Sequence, residues 1–74
     1  MSGRPVKHSL SLNGHRTSVS LETAFWDAFR AIAFARGQTL NMLAAEIDTA
    51  RQADIGLASA IRVFVLQHFQ AARS

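Results

Sequence analysis

The sequence predicts a mainly helical chain that opens with a short N-terminal β-hairpin, and three features predict it. Asn13-Gly14 stands between two segments that alternate apolar and polar residues. Both residues tolerate the positive φ of a type I′ turn, the tightest link between antiparallel strands. Past the second segment, apolar residues recur at helical spacing through two stretches divided by Gly37. A last stretch, from Leu57, is apolar around most of a helical circumference, which argues for burial between subunits rather than exposure to solvent.

Met1 to Pro5 is polar and reads as a disordered tail, with the folded domain running from 6 to 74. Strands are expected over 6–12 and 15–21. A two-residue loop then faces Leu12 with His15, Leu10 with Thr17, His8 with Val19 and Val6 with Leu21 on one largely apolar side. Lys7, Ser9 and Ser11 share the other side with Ser20, Ser18 and Arg16. Thr17, Val19 and Leu21 are therefore expected to face a core.

A first helix is expected over 22–36, where Phe25, Trp26, Phe29, Ile32 and Ala33 fall on one face. Gly37 suits its end. Phe34 points away from that stripe, either as a partly exposed aromatic or, as a dimer favours, toward a second subunit. Thr39 fits the cap of a helix over 39–51, striped by Leu40, Leu43, Ile47 and Ala50. Gln52 to Gly56 loses the period and forms a connection. The third helix, 57–72, carries Ile61, Val65 and Phe69 on one side and Val63, Phe64 and Leu66 around the rest.

With 74 residues and no cysteine, the chain has one small core and neither disulfides nor thiolate metal sites to staple it. Its hydrophobic content of 49% makes self-association, as a homodimer or a dimer of dimers, the expected route to stability. A net charge of +3 leans toward a polyanionic partner. No Gly-rich phosphate loop, His-x-x-x-His pair or nucleophile motif is present, so no enzyme, cofactor or metal is expected. His8 and His15 are too few to hold an ion between them. No segment has the length of a membrane span and the start lacks a signal peptide's apolar core, so a cytoplasmic chain without membrane partners is expected.

The strand face carrying Arg16, Ser18 and Ser20 admits two readings. It is an ordinary solvated face, or a face whose guanidinium and hydroxyls bond base edges in a DNA groove.

Arg16-Thr17-Ser18-Val19-Ser20-Leu21-Glu22, followed by a helix, Gly37, Thr39-Leu40-Asn41 and a second helix, resembles the ribbon-helix-helix family of Arc and MetJ repressors. The run from Gly14 to Glu22 and the final helix from Leu57 to Leu66 are similar to a bacterial subfamily of short members. The resemblance implies an intertwined homodimer in which one strand from each subunit pairs into a ribbon that enters the DNA major groove. Carried over, Arg16, Ser18 and Ser20 contact bases, while Thr39, Leu40 and Asn41 hold a backbone phosphate, with Lys7 a further phosphate contact. Val19, Leu21, Phe34, Ile61, Phe64 and Val65 are expected at the dimer interface. The function implied is that of a transcriptional regulator, a repressor. The alternative is a protein-interaction or dimerisation module, antitoxin-like or adaptor, with a protein partner in place of DNA. Two features depart from the family pattern: the added strand 6–12 and the break at 52–56. Either the added strand detaches or twists aside on DNA, or this member inserts no ribbon; a chain lacking residues 1–12 is expected still to fold as a dimer, because the inner strands would pair and the helices supply the core.

Overall fold

The computed structural model describes residues 3–73; Met1, Ser2 and Ser74, within the expected tail and the last residue of the domain, lie outside them. At the turn, Asn13 and Gly14 take φ of 52° and 84°, the left-handed region that these two residue types enter at least cost. The turn joins β1 (Val6–Leu12) to β2 (His15–Leu21). They pair antiparallel from Val6 with Leu21 through to Leu12 with His15, the register that a two-residue loop dictates.

Three helices follow: α1 (Thr23–Ala35), α2 (Leu40–Ala50) and α3 (Leu57–Ala72). Helix α1 starts one residue later than its apolar pattern suggests, because Glu22 keeps an extended ψ of 145° and serves as N-cap. Its end is a Schellman turn. Gln38 N–H donates to the Ala33 carbonyl at 2.9 Å and Gly37 N–H to that of Phe34 at 3.1 Å, with Gly37 at φ 68°. The Thr39 hydroxyl accepts from Met42 N–H at 3.1 Å and caps α2. Arg51 then orders the connection to α3: its Nε pairs with Asp48 and its Nη1 donates to the Ile55 carbonyl, each at 2.7 Å.

One core joins all five elements. Leu10, Leu12, Val19 and Leu21 from the hairpin close on Phe29, Ile32, Leu43, Ile47, Ile61 and Val65, with no buried polar side chain among the described residues. The His8 imidazole lies flat on Trp26, 3.7 Å between ring centroids, and covers the inner face of the hairpin where β1 runs toward its free end. Inward alternation does not guarantee burial, however. Val6 is 43% exposed, and Thr17 and His15 are exposed, because the helices cover the hairpin unevenly. Thr17 lines an open cleft of about 530 Å³ with Leu57, Asp48 and Arg51, so no side chain of its own chain covers it.

Two expectations are corrected here. Strand β1 is no removable flap, since Leu10 and Leu12 are 3% and 7% exposed. Each buried leucine stabilises the fold by roughly 1.5–3 kcal/mol, so peeling β1 away or deleting residues 1–12 opens the core. Helix α3 spends one face inside its own chain, Ile61 and Val65, and leaves Val63, Leu66 and Phe69 about half exposed. No helix among the described residues is long and apolar enough to cross a membrane.

Candidate nucleic-acid interface

Strand alternation sends Lys7, Ser9, Ser11, Arg16, Ser18 and Ser20 to the face away from the helices. Across the pair Lys7 stands beside Ser20, Ser9 beside Ser18 and Ser11 beside Arg16. All are exposed except Ser11, which is half-buried. No Asp or Glu occurs anywhere between Val6 and Leu21, so two cations and four hydroxyls make up a face without a carboxylate to repel an anion. Arg16, Ser18 and Ser20 thus lie together, as their spacing implies, with Lys7 at the far corner of the same face.

The backbone of the hairpin has two edges, treated differently. Groups that do not pair within an antiparallel ladder alternate along each strand, and two side-chain bonds fix the phase. Ser11 N–H donates to Asn41 Oδ1 at 3.0 Å on the outer edge of β1, and the Ser20 carbonyl accepts from Arg62 Nη2 at 3.4 Å on the outer edge of β2. The N–H and C=O groups of Arg16 and Ser18 therefore point off the open edge of β2. The cleft that Thr17 lines runs along that edge.

The start of α2 presents the main-chain N–H groups of Leu40 and Asn41, which have no acceptor within the helix. Asn41 uses its side-chain oxygen to tie β1 to α2. Beside this helix, Arg36 donates to Gln38 and pairs with Glu46 at 3.6 Å, and Gln38 donates to Glu46. Glu46, on the middle of α2, is thereby held by a guanidinium.

The residues expected at a subunit interface divide into two groups. Val19, Leu21, Ile61 and Val65 are at most 4% exposed within the single chain; they belong to its own core and have no surface to give to a partner. Phe34 is 88% exposed, and Phe64 is half-buried, with the Arg36 guanidinium 5.8 Å from its ring centre. Sequence reasoning missed Arg62 and Glu22. Arg62 Nε and Nη2 hold the two Glu22 carboxylate oxygens at 2.8 and 3.2 Å, fastening α3 to the end of β2. The hydrogen bonds from Arg62, and then the residue's own backbone N–H, hold the Glu22 carboxyl below its ordinary value of 4.5. Forty residues separate the two, so no local pattern announces the pair.

No group of three or more His, Asp or Glu placed to hold a metal occurs among the described residues. No curated protein and no solved structure matches the chain. The family model described as a ribbon-helix-helix domain matches residues 5–69, and so takes in the added strand β1 and most of α3 as well as the strand, glycine and cap between them. The chain belongs to the ribbon-helix-helix domain family.

Proposed function

We propose that the protein is a dimeric DNA-binding transcriptional regulator, a repressor, that reads DNA with the outward face of β2. The observation that carries this reading is a strand with a cation-and-hydroxyl face, free of carboxylates, beside an open backbone edge. Members of the family are generally DNA-binding regulators or antitoxins and typically dimerise.

Two open β2 edges are self-complementary about a two-fold axis. A register centred on Ser18 engages the outward backbone groups of Arg16, Ser18 and Ser20 on both strands. Sliding it by one pair leaves one of those residues unpaired on each strand. The resulting sheet has the order β1-β2-β2-β1, and its outer strand axes lie roughly 14 Å apart at ~4.8 Å per step, against a major groove about 12 Å wide. The two β2 strands therefore enter the groove, with Arg16, Ser18 and Ser20 toward the bases. Sheet twist turns the β1 strands up toward the phosphates, where Lys7 meets the backbone. The free N–H groups of Leu40 and Asn41, behind the Thr39 cap, suit a flanking phosphate.

Arg16 decides the matter. On a site selected from a random DNA pool, Arg16→Ala should leave the dimer intact, weaken binding by about 1–3 kcal/mol per lost bidentate contact and relax base preference at that position. Wild-type affinity and preference in that variant would remove the strand from base reading. The fixed strand β1, which widens the sheet beyond a two-stranded ribbon, favours a second reading, a protein-interaction module that kept the fold. Failure of the wild-type protein to bind random DNA even at low salt would select it.

A further inference from the structure

The open edge of β2 has two unlike ends, and their contents are complementary in charge. At the Ser20 end, Arg62 and Glu22 form an ion pair, with side chains 30% and 28% exposed. At the Arg16 end, the cleft is walled by Asp48 and Arg51, themselves paired at 2.7 Å with side chains 33% and 29% exposed. Neither pair is closed. Among the described residues Arg62 Nη1 and Asp48 Oδ2 make no bond, since Arg62 uses Nε and Nη2 and Asp48 uses Oδ1.

An antiparallel two-fold places each end of one strand against the opposite end of the other. In the register centred on Ser18, Ser20 of one copy stands beside Arg16 of the second. The Ser20 carbonyl, with two lone pairs, accepts from the second strand while keeping Arg62. Arg62 and Glu22 of one copy are thereby carried to the mouth of the cleft that holds Asp48 and Arg51 of the second. Charges alternate there as Glu22, Arg62, Asp48, Arg51. Symmetry builds the arrangement twice.

We infer that the strand-paired dimer is locked by ion pairs between Arg62 of one subunit and Asp48 of the other. The inference rests on the strand-paired dimer proposed above and adds what selects like for like. Backbone pairing is indifferent to sequence, so a different chain with an open edge would pair as well. The charges reject a partner that lacks an acid at the position of Asp48.

A mixing experiment tests this. Arg62→Asp and Asp48→Arg are made in separate chains, and sedimentation equilibrium measures each alone and the two together, with helical circular dichroism confirming that each is folded. Alone, either homodimer sets like charges together at both ends and should associate at least roughly tenfold more weakly than wild type at low salt. Mixed, the heterodimer restores an opposite pair at both ends, and its affinity should return toward the wild-type value. Strain against Glu22 or Arg51 within each chain is the same alone and mixed, so recovery reports the contact between subunits. A mixture that associates no better than its components overturns the inference. If either reversed chain is unfolded, Arg62→Gln and Asp48→Asn take their place in a double-mutant cycle on the dimer constant, where coupling supports the ion pair and additivity overturns it. The underlying reading is checked with Ser18→Pro, which removes an edge N–H. A wild-type monomer, or a Ser18→Pro chain that dimerises as wild type does, overturns strand pairing and this inference with it.

Discussion

Thr39 contributes one hydroxyl, yet that hydroxyl satisfies Met42 N–H at the start of α2, where the helix has no internal acceptor. Thr39→Ala should lower unfolding stability by about 0.5–2 kcal/mol, and Thr39→Ser should recover most of it; urea unfolding at neutral pH measures both. Glu22 acts through charge. Its carboxyl lies below its ordinary value in the folded chain, chiefly because Arg62 donates to it. A group depressed in this way adds stability that is present above the unfolded value and is lost as pH falls through the folded one. Glu22→Gln should therefore destabilise the chain at pH 7, and wild type and variant should converge as the medium is acidified below the carboxylate range. A gap that stays constant with pH would assign the effect to packing. The spacing of Thr39 before an apolar stripe made its capping role legible in the sequence. The partnership of Glu22 with Arg62 was not, because it is created by the way α3 folds back onto the end of β2.

At the scale of elements, the hairpin was the most legible part of the chain. Asn13-Gly14 fixed the loop length, loop length fixed the register, and alternation then assigned every outward residue correctly. The inward face was legible only as a direction. Thr17 points inward and is exposed, since burial depends on what lies opposite, and the strand pattern carries no information on where α2 and α3 leave a gap. The third helix was legible in part for a related reason. A helix apolar on most of its circumference is expected between subunits; within the chain Ile61 and Val65 join its own core, while Val63, Leu66 and Phe69 stay about half exposed. Strand β1 shows the energetic side of this. With Leu10 3% exposed, Leu10→Ala should cost about 2–5 kcal/mol, whereas Ser9→Ala on the outward face should stay within roughly ±0.5 kcal/mol. Thermal unfolding of the two variants checks the contrast. Equal small effects would mean that β1 is peripheral and able to leave the sheet.

For the whole molecule, charge sets how strongly the proposed complex depends on salt. The chain carries +3, and on the hairpin face its cations are Lys7 and Arg16, at opposite corners of the sheet. In the strand-paired dimer the two Arg16 side chains flank the axis and the two Lys7 side chains stand on the outer strands. Each phosphate neutralised releases condensed counterions, so the logarithm of the binding constant falls by about 0.9 per tenfold rise in salt for each such contact on duplex DNA. Lys7 occurs twice in the dimer, and Lys7→Ala should shallow that slope by roughly 1.8 while weakening selected and random DNA alike, because phosphates carry no sequence. Arg16→Ala should leave most of the slope in place and remove base preference instead. Fluorescence anisotropy across a salt series, with both variants on both DNAs, separates the roles. An unchanged slope in Lys7→Ala would place β1 away from the phosphates. The sheet would then meet DNA through β2 alone, and the width added by the outer strands would serve the fold rather than the complex.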